Sequence, residues 1–416
     1  MTLTSLLTMA FCLSLPQLSM RGTEVALFDY MDFGERLLDL RVLILFDAHH
    51  HWNFPGTIDK FTSRFGAENV LGVDHWAQVD PILTERGATH LVVIKFGPPD
   101  GHLSRLPGVR NCVLANFDAR QPHGHVFARV SAAIPGNAPV VPHIVRSPPS
   151  LPADGDQPAD MRGVLGIPHA ATVFGRHGGF DQFNIDFVLS TVVTVAAEHP
   201  QIYFLFMNTK PWTGCEERSN IIFLPPTSDA LLKSRFIRSC DAMLHARGRG
   251  ETFGLAVAEF SVHNRPVLTS SEHHENHRER AHLDILGSKG LYYHDEPSLR
   301  NMLTTFDATR ARGGNWNAYE SFTPDLVMKR FRDVFILEEE GTTAVEVDAI
   351  NGRQRGAGDH DSESDIQQQI QSVSAQAQRL WFRISAATEA KDRSTLTHSL
   401  QELISLRERV GAVVNK

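Results

Sequence analysis

Residues 240–260 read Cys240-Asp241-Ala242-Met243-Leu244-His245-Ala246-Arg247-Gly248-Arg249-Gly250-Glu251-Thr252-Phe253-Gly254-Leu255-Ala256-Val257-Ala258-Glu259-Phe260. The apolar run from Ala242 to His245 predicts a short buried strand, the residues after it a glycine loop, and Thr252 to Leu255 the opening of a helix that carries Glu259. A strand, a glycine loop and a helix N-terminus in succession make an anion site, because the first amides of a helix lack internal partners and its dipole is positive there. Gly250 and Gly254 would let a diphosphate approach the backbone, with Arg247 and Arg249 adding charge. Glu251 precedes the helix and Glu259 lies about two turns into it, so the two carboxylates can hold different parts of one elongated ligand.

The same alternation extends on both sides. Ala171 to Phe174, Tyr203 to Met207, Ile221 to Leu224 and Val267 to Thr269 read as strands. Phe183 to His199, Ala230 to Ser239 and Phe253 to His263 read as helices, which gives a β-α-β series and hence a parallel sheet covered by helices. Ser147 to Pro158, rich in Pro, Ser, Asp and Gly, reads as a linker. Before it lies a second α/β pattern, with strands at Leu7 to Leu15, Arg41 to Phe46, Val70 to Val73, Leu91 to Phe96, Cys112 to Asn116 and Val140 to Val145. Its helices fall near Thr23 to Leu38, Ile58 to Phe65 and Val79 to Glu85. A secretory leader is the alternative reading of the apolar run Leu6 to Leu15, but no Lys or Arg precedes it and no small-residue cleavage pattern follows. The chain therefore divides into an N-terminal half, 1–146, a linker, 147–160, and a C-terminal half, 161–340. A tether, 341–365, and a helical hairpin, 366–416, complete it, the hairpin carrying apolar stripes from Ile366 to Ile384 and from Leu396 to Val414.

Composition narrows the class. The 416 residues include 42% hydrophobic and 21% charged side chains, ordinary globular usage that excludes a disordered, collagen-like or polytopic membrane chain. Forty basic against forty-eight acidic side chains give a net charge of −8, so a nucleic-acid footprint is absent and any phosphate must be met locally. Cys12, Cys112, Cys215 and Cys240 form neither a zinc pattern nor a disulfide framework, and a reducing, cytoplasmic compartment fits them.

On these residues the sequence resembles the retaining glycosyltransferases of family four. Glu251-Thr252-Phe253-Gly254-Leu255 with Glu259 is similar to that family's Glu-x7-Glu motif, and the Phe-Gly-Leu at the right place in the series makes the match specific. The resemblance implies a GT-B fold, two Rossmann-like doubly wound domains facing a cleft. It also implies transfer of a sugar from a nucleotide-sugar donor with retention of anomeric configuration and without a metal or cofactor. Glu251 would contact the transferred sugar and Glu259 the ribose hydroxyls, with Thr252, Phe253, Gly254 and Leu255 lining the donor. Met161 to Gly175 looks like the opening of the donor domain, and Arg176 would bind the donor phosphates. The family's Lys five residues later is here Asp181, and Lys233 or Arg247 would supply the missing charge. Arg21-Gly22-Thr23-Glu24 looks like a variant of the first-strand glycine loop, with Gly22 in place of the usual pair, and Thr323 to Leu337 like the last helix that crosses back to the first domain. The acceptor, a glycan, protein or small molecule, stays open.

His123, in Gln121-Pro122-His123-Gly124-His125, lies about where the family has a histidine touching the sugar; a loop histidine is the alternative. His49-His50-His51 follows a strand end and reads either as a cleft residue cluster or as a polar rim loop. Lys95, at the end of Leu91 to Phe96, reads either as a residue meeting acceptor or phosphate or, the preferred reading, as a snorkelling surface lysine. His273, His274, Glu275, His277 and His282 do not make a zinc site, because His274 and His277 are one residue short of the spacing that puts two imidazoles on one helical face, so a solvated loop is expected. Gly175 to Gly179 is no dinucleotide fingerprint, which disfavours a nicotinamide dehydrogenase. Two rivals are carried: a nucleotide-sugar epimerase on the same fold, and a non-catalytic sugar-nucleotide-binding scaffold whose helical tail recruits partners or a second copy.

Overall fold

The computed structural model describes residues 7–13, 17–150, 159–215, 218–272 and 279–337. The expected tether and helical hairpin, most of the linker, and His273, His274, Glu275 and His277 lie outside the described residues. The strands are β1 (Thr8–Leu13), β2 (Arg41–Asp47), β3 (Val70–Val73), β4 (His90–Lys95), β5 (Arg110–Ala115), β6 (Val126–Arg129), β7 (Thr172–Arg176), β8 (Ile202–Met207), β9 (Ile221–Leu224), β10 (Ala242–His245), β11 (Gly250–Glu251), β12 (Val267–Ser270), β13 (Glu279–Arg280) and β14 (Gly290–Tyr293). The helices are α1 (Gly22–Leu38), α2 (Pro55–Phe65), α3 (Val79–Glu85), α4 (Asp186–Glu198), α5 (Ala230–Ser239), α6 (Leu255–Val262), α7 (Ala281–Leu286), α8 (Glu296–Thr304), α9 (Ala308–Arg312) and α10 (Pro324–Phe331).

Two six-stranded parallel sheets result, ordered β3-β2-β1-β4-β5-β6 and β14-β12-β10-β7-β8-β9. Numbered within its own half, the second has the same order as the first. Each is doubly wound, with its direction of winding reversing between β1 and β4 in the first sheet and between β7 and β10 in the second. A crevice opens at such a switch point because the loops on either side leave in opposite directions. Four loops therefore matter most: those after β1, β4, β7 and β10.

Burial on both faces explains the unbroken apolar strands: every residue of β4 and of β10 is buried. Ala26, Leu27, Tyr30 and Met31 turn the buried face of α1 onto the first sheet. The last helix crosses over as expected. Val327, Met328, Phe331 and Phe335 join the first core, where the Phe331 ring stacks on Phe11 at 6.2 Å. In the second half Phe174, Phe204 and Phe206 pack with Val188 and Val192 of α4 on one face, while Val173, Leu205 and Met243 meet Val257 and Phe260 of α6 on the other. Cys112, Cys215 and Cys240 are buried free thiols.

Three expectations change. Val140 to Val145 is not a strand: only Val140 bridges, to Arg129, after which the chain runs on toward the second half, Val145 donating to the Phe322 carbonyl at 2.8 Å. The sixth strand of the first sheet is instead Val126–Arg129, paired to β5. The second sheet gains β14 beyond β12, a strand the apolar pattern around Gly290 is too short to announce. In the turn at 49–53, which follows β2, the His50 and His51 rings stack at 4.8 Å and the Asn53 amide donates to the His50 carbonyl.

Candidate functional site

The β7–β10 switch point collects the charged residues singled out above. Gly254 sits at φ +88°, where only glycine is unstrained, and it caps α6 just after Glu251. Gly250, at φ +79°, is needed for a closer reason than phosphate approach: a Cβ there would meet the Glu279 carbonyl oxygen at 1.8 Å, so β11 could not pair with β13. Thr252 and Leu255 flank the turn. The buried Phe253 ring meets His143 edge-on at 5.3 Å, and Tyr319 donates to the Phe253 carbonyl at 2.9 Å.

Both glutamates are held by cations. Arg247 Nη1 donates to Glu251 Oε2, and His245 Nε2 lies 3.3 Å from Oε1. Lys233 Nζ, from α5, donates to Glu259 Oε1, while His177 Nε2 lies 2.9 Å from Oε2. Burial alone would raise both carboxyls. Arg247, then His245 and His282, outweigh it at Glu251 and hold that group at about 2, and Lys233 with His177 holds Glu259 lower still. Two half-buried carboxylates, both ionised at neutral pH, thus lie along one strand, loop and helix.

Arg176 ends β7 and is buried. Its guanidinium donates to the Asn208 carbonyl at 3.2 Å, to Thr209 Oγ1 at 2.6 Å and to the Gly179 carbonyl at 2.7 Å, so it shapes the loops around the crevice from behind. Burial lowers its pKa to about 10, with Glu251 opposing and Arg247 reinforcing that shift. Of the two residues considered as replacements for a cation at exposed Asp181, Arg247 stands at Glu251 and Lys233 at Glu259.

The first half reaches this site at its own switch point. Gly22, the first residue of α1, faces Leu255, whose Cδ1 would lie 3.6 Å from a Cβ at that position. Arg21 is depressed in pKa by burial and feels Asp181, Glu24 and Arg247. Lys60 of α2 stands over the Phe28 ring at 4.1 Å and feels Asp29, Lys233 and Glu259. Arg249, just before Glu251, lies over the Phe117 ring at 4.5 Å, and Phe117 in turn stacks on Phe96 at 4.7 Å.

His123 is buried after β5, apart from the two glutamates. Its Nδ1 lies 2.8 Å from the Gln121 carbonyl and its Nε2 3.3 Å from Lys95 Nζ. Lys95 is not a snorkelling surface residue: its side chain is 1% exposed, and its ammonium donates to Asp100. His282 is likewise not in a solvated loop, being 2% exposed at the start of α7 and within the second site. His177, His245, Thr269 and His282 are the residues that sequence reasoning passed over. The signal available for two of them was position, since His177 follows Arg176 at the end of β7 and His245 ends β10.

No family model matches the sequence, and no curated protein matches it. Solved structures do. HepE from Anabaena, in complex with UDP-glucose, is 12% identical over 78% of this chain and 98% of its own, with a TM-score of 0.59. A glycosyltransferase from Rickettsia africae is 10% identical over 80% of this chain and 98% of its own, at 0.54. The pneumococcal O-GlcNAc transferase GtfA, in complex with UDP and GlcNAc, is 9% identical over 79% and 98%, at 0.55. At such identities the likeness shows the fold, and that fold is GT-B: the two doubly wound sheets facing a cleft are those of the GT-B glycosyltransferases.

Proposed function

We propose that this protein is a glycosyltransferase that moves a sugar from a nucleotide-sugar donor to an acceptor, with retention and without a metal, in the manner of family four. The observation that carries the reading is the pair of half-buried, ionised carboxylates, Glu251 and Glu259, eight positions apart across the loop and helix at the second switch point. Residues 161–340 form the donor half in this reading and residues 1–146 the acceptor half. HepE was captured with UDP-glucose and GtfA with UDP and GlcNAc, which makes uridine diphosphate sugars the first donors to try.

Glu259 accepts from the ribose hydroxyls. Glu251, held near pKa 2, cannot donate a proton at neutral pH. Its work is to accept hydrogen bonds from the transferred sugar and to favour positive charge at the anomeric carbon as the bond to phosphate lengthens. Arg247 and Lys233 supply cationic charge for the departing diphosphate, assisted by the α6 amides behind Gly254, and Arg176 braces the neighbouring loops after β7 and β8. The acceptor attacks from the face the phosphate leaves, and that phosphate takes the acceptor's proton. His123 would touch the sugar from the acceptor half once the substrate replaces Lys95 at its Nε2. The scatter of the four cysteines supports a cytoplasmic location, and among the described residues no helix is long and apolar enough to cross a membrane.

The test is thermal stabilisation by a panel of nucleotide sugars and free nucleotides, with Glu259→Ala in parallel. A rise in melting temperature with one donor, lost in the variant, is expected, because a ligand that binds only the folded state stabilises it. No rise with any nucleotide or nucleotide sugar would overturn the reading.

A further inference from the structure

Behind Glu251 runs a chain of buried polar groups that the transfer reaction does not itself require. His245 Nε2 lies 3.3 Å from Glu251 Oε1, His245 Nδ1 lies 2.8 Å from Thr269 Oγ1, and Thr269 Oγ1 lies 3.3 Å from His282 Nε2. Relative exposures are 5% for His245, 1% for Thr269 and 2% for His282. The elements are rigid: His245 ends β10, Thr269 lies in neighbouring β12, and His282 opens α7. Tyr293 also donates to the His245 carbonyl at 2.7 Å, which pins the strand end.

A neutral imidazole has one N–H and one lone pair, and a hydroxyl has one proton. The direction of the whole chain is therefore a single choice. Glu251 can only accept, so a His245 ring with a single proton presents it at Nε2 and its lone pair at Nδ1. Thr269 then gives its proton to Nδ1, and its oxygen accepts from His282 Nε2. The chain closes on the Nδ1 lone pair of His282, a buried atom with no hydrogen-bond partner. The backbone carbonyl of Glu251 lies close enough to the His282 ring to compete for a proton on that nitrogen. Such a proton would reverse every bond and set a lone pair of His245 against the carboxylate. Burial keeps His282 neutral, lowering its pKa to about 3, so protonation on both nitrogens is not the escape.

We propose that His282, Thr269 and His245 act as a one-way hydrogen-bond chain that fixes the His245 tautomer and so aims the Glu251 carboxylate, making all three positioning residues of the site. The proposal rests on the transferase reading for its purpose but not for its geometry. Arg247 holds the second oxygen of Glu251, and the chain decides which way the first one points.

The experiment uses the full chain labelled with ¹⁵N-histidine, whose long-range ¹⁵N–¹H spectra at pH 7 distinguish the two neutral tautomers and the imidazolium. His245→Gln and His282→Gln identify the two rings by loss of their signals. Both rings are expected as neutral Nε2–H tautomers. Thr269→Val, nearly isosteric but without the hydroxyl, should release His245 from that state, while Thr269→Ser keeps it. Where a nucleotide sugar is turned over, kcat in Thr269→Val should fall about tenfold at unchanged KM, the cost of one buried hydrogen bond, and return in Thr269→Ser. An Nδ1–H tautomer at His245, or a Thr269→Val protein with the wild-type spectrum, would overturn the chain. A wild type that turns over no nucleotide sugar would count against the transferase reading alone, because the spectra still decide the chain.

Discussion

The two halves share one strand order, yet Glu24 and Asp29 of the first and the two site glutamates of the second answer desolvation in opposite ways. In the first half Glu24 and Asp29 of α1 are more buried than the site glutamates, and burial raises both: Asp29 to about 6 despite Arg146 beside it, and Glu24 with Ser19 as its hydrogen-bonding partner. In the second half burial pushes Glu251 and Glu259 the same way, yet Arg247 and Lys233 reverse the outcome. Desolvation is common to all four. What differs is whether the charged partners outweigh desolvation, and at the β7–β10 switch point a cation and a histidine converge on each glutamate. The second half carries a charge-balanced site largely built from its own residues, whereas the first half approaches it through Gly22, Lys60 and Phe117.

That contrast can be broken most sharply at Glu251. Glu251→Gln keeps the shape and removes the charge, and a loss of about 10² to 10³ in the rate of nucleotide release from the donor is expected, as for removal of one electrostatic stabiliser. A rate within a few-fold of wild type would mean that the ionised carboxylate is not what the second half is built around. At the other glutamate, Lys233→Met leaves Glu259 facing His177 without its main cation. Donor binding by calorimetry should weaken about tenfold, with a smaller change in kcat, because a half-buried carboxylate is left undercompensated.

Acid stability sharpens the comparison from the other side. Burial lowers His90 and His143, both in the first half, to about 4. Their folded pKa lies below the unfolded value, so the stability from keeping them neutral is complete above about pH 6.5 and is lost as pH falls toward 4, at up to about 1.4 kcal/mol per pH unit for each ring. Calorimetric melting between pH 7 and 4 should show this decline. His143→Phe, which keeps an aromatic ring against Tyr30 and Phe253, should make it shallower. The smallest effect is expected where the halves touch. Arg249→Ala removes the guanidinium from Glu279, which accepts from its Nε and Nη2, and from the Phe117 ring, and the ring contact itself should account for about 1 kcal/mol or less. A double-mutant cycle with Phe117→Leu in thermal melts should return most of that as coupling, and independent effects would show that the contact joins nothing.

Much of the frame was legible in the residues. The β-α-β alternation, the strand into His245 and the helix carrying Glu259 all follow local patterns of apolar spacing, glycine and proline, while the return of Thr323 to Leu337 to the first half was implied by the family resemblance. The misses are of another kind. Val140 to Val145 has a strand's composition but no neighbouring strand beyond Arg129, and strands exist only where partners bond them. Lys95 and His282 read as solvated because charge and polarity usually are, but Asp100 accepts from the buried lysine, and the folded interior keeps the histidine neutral.

By itself, then, the order of residues determined the repeated α/β architecture, the switch-point loops and the two glutamates, since these depend on periodicity and on short-range conformational preference. Only the tertiary structure decided that Lys233 meets Glu259, that Arg176 turns into its own loops, and that His245, Thr269 and His282 line up behind Glu251. Most of those pairings join residues from different strands, helices and loops, and their energies come from distance, burial and hydrogen-bond direction, which have no value until the sheet is assembled.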